Sequence, residues 1–94
     1  MFEIRRAPDG AIHMSGRLDA SQAEAARAVF LEISESAVVD FGELTYISSA
    51  GLSVLLQTQK RLMGLGERLT LANLNRHIHE VFRYAGFDSI FDIR

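Results

Sequence analysis

The sequence predicts a small single-domain α/β fold over residues 1–94, with a mostly parallel mixed sheet opened by an N-terminal antiparallel hairpin. Two observations carry this prediction. Two stretches of alternating apolar and polar residues flank a turn near the N-terminus, and three strand-like segments then alternate with three helix-like ones. The order β-β-α-β-α-β-α-β, with right-handed crossovers strongly preferred, implies a largely parallel sheet, and the period-two patterning fits helices mainly on one face.

The hairpin comes first. Residues Phe2–Ala7 and Ala11–Ser15 alternate around the turn Pro8–Gly10. A period of two indicates strands with one covered face and one wet face. Residues Gly16–Ala20 are then predicted as a loop.

A first helix is predicted from about Gln22 to Glu32. Ser21 and Glu24 have the Ser-x-x-Glu spacing of a capping box, ahead of apolar residues at helical spacing.

The stretch from Val38 to Leu56 reads as strand, loop and helix start. The β-branched run Val38–Phe41 is typical of a buried parallel strand, with Asp40 near its end. A second helix follows from Ser49 or Ala50 to about Met63. Its apolar stripe comprises Leu52, Leu55, Leu56, Gln59, Leu62 and Met63.

The C-terminal part predicts a strand, a helix and a short last strand. Leu69–Ala72 forms the strand, Asn75 is a good N-cap, and the helix ends at Gly86, with Phe87 placed for a Schellman-type contact. Ile90–Ile93 adds the edge strand.

Composition excludes several classes of function. The chain has 94 residues, no cysteine and a net charge of −2 without a basic block, so disulfides, thiol catalysis and nucleic-acid binding are not expected. No signal peptide or membrane span is apparent, and a cytoplasmic location is expected.

No catalytic constellation stands out, so we expect no enzyme activity, cofactor or metal. Asp40 could be an acid or a metal ligand, but a loop-capping or strand-end role is more common. His77 and His79 lie two apart on a helix and cannot share a metal, and His13 is predicted to face solvent.

Ser48 and Ser49 stand where the second helix begins. A serine there can cap free backbone N–H groups, which is its commonest use. It can also accept a phosphate, because the helix start tolerates negative charge. Ala50 and Gly51 are small and would leave the hydroxyls accessible to a partner.

The segment TYISSAGLSVLL resembles the signature of STAS domains, the family of anti-sigma factor antagonists. The resemblance implies a phosphoacceptor at Ser49, with Ser48 as second choice; Ser48 stands where the family usually has Asp. Gly16-Arg17-Leu18-Asp19 is similar to the family's Gly-Glu-Leu-Asp loop, which implies a partner contact at Asp19. The full expected partner-binding set is Asp19, Ser48, Ser49, Ala50, Gly51 and Ser53.

The resemblance also implies a function. The unphosphorylated protein would bind an anti-sigma factor that is a GHKL-type Ser/Thr kinase and so release its target, and a PP2C-type phosphatase would reverse the phosphorylation. An alternative is a constitutive, non-phosphorylated subunit, for instance of a lipid-transport ABC system; direct nucleotide binding is a weaker third. The family's C-terminal helix is expected to be absent after Arg94, and a monomer or weak homodimer is expected.

Overall fold

The computed structural model describes residues 1–94 and contains one five-stranded sheet with three α-helices. The strands are β1 (Phe2–Arg6), β2 (Ile12–Leu18), β3 (Ala37–Ile47), β4 (Leu69–Ala72) and β5 (Asp92–Ile93). The helices are α1 (Ala23–Phe30), α2 (Ser49–Met63) and α3 (Arg76–Tyr84), with a 3-10 turn at Ala20–Gln22. No helix is both long enough and apolar enough to cross a bilayer.

The strands lie in chain order across the sheet, and this order explains where the helices sit. β1 pairs antiparallel with β2, and all other neighbours pair in parallel. Each parallel connection therefore advances by one strand in the same direction, so right-handed crossovers leave their helices on one face. The predicted fold class is confirmed, and the opposite face of the sheet is left without a helix.

The core lies between the sheet and the helices. Phe41 of β3 packs edge-to-face on Phe82 of α3 with ring centroids 5.9 Å apart, and Phe82 in turn contacts Phe91 at 5.6 Å. All three rings are buried. Such pairs contribute about 0.5–1.5 kcal/mol beyond the area they bury, and they fix α3 against the sheet.

Strands β2 and β3 are longer than predicted. Gly16 to Leu18 continue β2 instead of forming a loop, and β3 runs to Ile47. The sequence pattern did not show the full length of β3 because the pairing of β2 with β3 contains two register shifts. They place Phe41, Leu44 and Ile47 in the core at a spacing of three residues, which breaks the period-two signal of a strand. Asp40 consequently lies within β3, not at its end.

The predicted capping box does not form. Asp19, not Ser21, starts the helical segment: Oδ1 of Asp19 accepts hydrogen bonds from the backbone N–H of Ser21 at 3.1 Å and from its hydroxyl at 2.7 Å. This bond begins a 3-10 turn, and α1 follows from Ala23 with no side-chain cap. The helix ends at Phe30, two residues earlier than predicted.

Helix α2 buries a slightly different stripe from the predicted one. Leu55, Gln59 and Leu62 are buried as expected, but Met63 is 57% exposed, and Val54 and Thr58 are buried instead. The buried amide of Gln59 is satisfied at both ends, since it donates to the carbonyl of Ile90 at 2.9 Å and accepts from the N–H of Leu69 at 2.8 Å. Gln59 thereby ties α2 to β4 and to the segment that precedes β5.

The prediction for α3 is confirmed in detail. Oδ1 of Asn75 accepts from the N–H of Ile78 at 2.8 Å, which caps the helix start. At the other end Gly86 adopts a positive φ of 76°, and the N–H of Phe87 donates to the carbonyl of Phe82 at 2.8 Å, as in a Schellman motif. The last strand is shorter than predicted and comprises Asp92–Ile93.

Candidate functional site

Ser48 is the cap of α2. Its backbone is extended, and its Oγ accepts a hydrogen bond from the N–H of Gly51 at 3.2 Å. Its own N–H donates to the carbonyl of Leu18 at 2.9 Å, which joins the start of α2 to the end of β2. The Ser48 side chain is half-buried, and its oxygen is already engaged in holding the helix.

Ser49 is the first residue of α2 and differs from Ser48 in the exposure and the hydrogen bonding of its side chain. It is exposed, and its hydroxyl makes no hydrogen bond within the chain. It lies in the first turn, where free backbone N–H groups carry the positive end of the helix dipole. Of the two serines, Ser49 is therefore the one whose oxygen is available to another molecule.

Gly51 lies on the buried side of α2, against the sheet, instead of at the surface. A Cβ added to it would come within 2.8 Å of Cγ of Leu18 and 3.0 Å of Cγ1 of Ile47. Such distances are too short for real atoms, so the absence of a side chain lets α2 approach the ends of β2 and β3 closely. Gly51 positions the two serines and, being buried, offers no surface for a partner.

The other residues of the expected set lie at varied depth. Ala50 is half-buried. Ser53 is one turn after Ser49 on the same side of α2, half-buried, with its Oγ 3.5 Å from Nε2 of Gln57.

Asp19 immediately follows Leu18, so it belongs to the same end of the sheet as the serines. The hydroxyl of Ser21 is the main reason that the pKa of Asp19 is lowered, with backbone N–H groups and the nearby Arg17 adding to it. The carboxylate is therefore ionised at neutral pH. The site combines a free hydroxyl, a positive helix end and one fixed negative charge.

Arg17 and Tyr46 were not singled out as a pair from the sequence. They face each other across β2 and β3, and the guanidinium carbon of Arg17 lies 4.2 Å from the centroid of the Tyr46 ring. The only sequence signal was Arg17 itself, at the position where the family's loop has Glu.

Asp40 and His13 form a separate pair. Nδ1 of His13 lies 3.4 Å from Oδ2 of Asp40, while Oδ1 of Asp40 accepts from the N–H of Gly42 at 2.8 Å and from Nδ2 of Asn73 at 3.2 Å. The Gly42 hydrogen bond is the main cause of the lowered pKa of Asp40. His13 is therefore half-buried and paired, which corrects the prediction that it simply faces solvent.

The remaining candidates do not join the site. His77 and His79 are exposed on α3, as predicted. No three His, Asp or Glu side chains converge closely enough to hold one metal ion. No histidine or carboxylate of this chain is hydrogen-bonded to the hydroxyl of Ser49.

Sequence comparison identifies one family. The profile described as "Mlab, STAS domain" matches residues 3–92. A protein of Bordetella bronchiseptica named as an anti-sigma factor antagonist, BtrV, is 45% identical over 76 residues. The match covers 80% of this chain and 66% of the relative, so the chain spans just under two thirds of the length of BtrV.

Solved structures share the fold at much lower identity. The phosphorylated form of SpoIIAA, a Bacillus cell fate determinant, superposes with a TM-score of 0.71 at 19% identity, over 100% of this chain and 91% of that one. An anti-sigma factor antagonist from Mycobacterium paratuberculosis gives 0.83 at 17% identity, over 99% and 83% of the two chains. At these identities the likeness concerns the fold alone.

Proposed function

The chain belongs to the STAS-domain family, and from this membership we propose that it is an anti-sigma factor antagonist whose binding is switched by phosphorylation of Ser49. In its unphosphorylated form it binds an anti-sigma factor of the GHKL Ser/Thr kinase type, which then releases its target. The kinase transfers phosphate from its own ATP to Ser49, and a PP2C-type phosphatase restores the binding form.

The observation that carries the proposal is that only one of the two serine hydroxyls is used by the fold. Ser48 holds the helix start through its bond to Gly51, whereas the hydroxyl of Ser49 is exposed and free. A phosphate on Ser49 would add about −1.5 to −2 charges without removing a hydrogen bond of the fold. The modification can therefore change the surface while the domain stays folded.

The electrostatics of the site support a switch that acts on binding. The helix dipole tolerates the new charge on the protein itself. A partner that fits the neutral hydroxyl, at the same end of the sheet as the ionised Asp19, would meet a dianion in the contact. Desolvating an unmatched charge at an interface costs several kcal/mol, on the order of a hundredfold or more in affinity.

The proposal is tested with protein isolated from its own host and with purified variants. Peptide mapping should find phosphate on Ser49. Ser49→Ala should bind the kinase permanently, Ser49→Asp should bind it weakly, and Ser34→Ala, at an exposed serine outside the expected partner-binding set, should behave as wild type. Equal binding by all three variants would contradict the switch.

A second candidate is a constitutive subunit of a larger assembly, such as a lipid-transport ABC system. One observation favours it: Ser48 occupies the position where the family usually has Asp. Co-purification separates the two. A stable complex with an ATPase that persists after phosphatase treatment and in Ser49→Asp would favour the subunit.

A further inference from the structure

The face of the sheet that carries no helix contains a mixed-charge cavity. The cavity measures about 540 Å³ and spans β1, β2 and β3. Its charged and polar lining includes Glu3, Arg5, His13, Ser15, Asp40 and Glu43. None of these residues takes part in the proposed switch, so the cavity raises a separate question of what it binds.

Strand register arranges these side chains in two rows. Ser15 pairs with Glu3 on one side and with Glu43 on the other, and His13 pairs in the same way with Arg5 and Asp40. Neighbouring strands are about 4.8 Å apart, so the two glutamates stand roughly 10 Å apart at their Cα atoms with the serine between them. The rows are two residues apart along β1, which is about 6.8 Å.

A register shift brings Glu43 to this face. Asp40 and Glu43 are three residues apart in β3, and in a regular strand an odd separation puts side chains on opposite faces. Between the pairs His13↔Asp40 and Ser15↔Glu43, however, β3 contains one more residue than β2. Such irregularities often re-aim a side chain next to a functional site.

Several charged side chains of the cavity form no ion pair within the chain. Glu3, Arg5 and Glu43 form no ion pair within the chain. Asp40, in contrast, is occupied by Gly42 and Asn73 and holds His13 in place. The cavity thus presents two free carboxylates beside a hydroxyl in one row and a free guanidinium in the next.

We propose that this cavity binds a small zwitterion whose cationic and anionic ends are about 6–7 Å apart, the spacing of the two rows. Its ammonium group lies between Glu3 and Glu43 and donates to their carboxylates and to the hydroxyl of Ser15. Its carboxylate accepts a charge-assisted, bidentate pair from Arg5. A ligand of one sign only would leave half of the array unmatched, which is why both charges are required.

The test is an NMR titration of the full chain with 5-aminopentanoate, whose two charged ends match the row spacing. Saturable shifts are expected at the backbone N–H groups of Arg5, Ser15 and Glu43, with a Kd of roughly 1 mM, as suits a ligand of so few atoms. Pentanoate, pentylamine and glycine are the controls, because each lacks one charge or the spacing.

Variants locate the site. Arg5→Gln and the double change Glu3→Gln with Glu43→Gln should each weaken binding at least about tenfold, whereas Arg83→Gln on α3 should leave it unchanged. All four positions are exposed, so the variants are expected to fold. The proposal is overturned if 5-aminopentanoate gives no saturable shift, if pentylamine alone gives the same one, or if the cavity variants bind as wild type.

Discussion

Replacing Ser48 with alanine should destabilise the domain, whereas the same change at Ser49 should be nearly neutral. Ser48 accepts the hydrogen bond of Gly51 at 3.2 Å, and loss of an N-cap serine typically costs about 1 kcal/mol, within a range of roughly 0.5–2. Ser49 is exposed and makes no such bond, so its replacement should stay within about 0.5 kcal/mol.

The difference is large enough to measure. For a domain of this size, about 1 kcal/mol lowers Tm by roughly 4–8 °C. It moves the urea midpoint by about 0.5 M if the m-value is near 2 kcal/mol/M. Urea denaturation followed by circular dichroism resolves shifts of this size, and identical m-values would show that the midpoint shift reports stability and not a change in the surface exposed on unfolding.

Ser48→Asp supplies the matched control. Aspartate caps helices about as well as serine and adds a charge that suits the helix start, so this variant should be as stable as wild type. It also restores the residue that the family usually has there. The reasoning is refuted if Ser49→Ala is as destabilising as Ser48→Ala, because the two hydroxyls would then stabilise the helix start equally.

Three further changes test the packing and the electrostatics. Gly51→Ala should cost about 1–3 kcal/mol, since its Cβ would overlap Leu18, and calorimetry should show a lower Tm; an unchanged Tm would mean that α2 is not held so close. Gln59→Leu should cost about 2–4 kcal/mol in urea denaturation, because the buried N–H of Leu69 and the part-buried carbonyl of Ile90 lose their partners; a neutral result would show that these groups find other partners. Because the pKa of Asp40 is lowered in the folded state, its ionised carboxylate stabilises the fold at pH values above its unfolded-state pKa of about 3.9. This stabilisation is lost as the pH falls through the lower pKa of the folded state. Asp40→Asn should therefore flatten the acid side of the stability curve, and urea midpoints that fall below pH 4 as steeply as in wild type would contradict this.

Elements with strong local signals were predictable. The hairpin shows regular alternation of apolar and polar residues on either side of its turn. Helix α3 is bounded by residues that favour a helix start and a helix end, Asn75 and Gly86. The accessible position of Ser49 also follows from local chemistry, because the residue before it takes the capping role. In each case a contact within a few residues decides the structure.

Other features depended on distant parts of the chain. The length of β3 is set by its pairing with β2, whose two register shifts move buried residues to a spacing of three and hide the strand from its own pattern. The depth of Gly51 depends on where Leu18 lies, thirty-three positions earlier.

The sequence alone determined the order of the elements, the class of fold and the presence of two serines where the second helix begins. These rest on turn chemistry, caps and periodicity, which act over a few residues. Only the tertiary structure decided that His13 pairs with Asp40, that Asp19 starts a helical turn, and which charges share the uncovered face of the sheet. The physical reason is that strand register places residues from different strands side by side, and register depends on packing across the whole sheet.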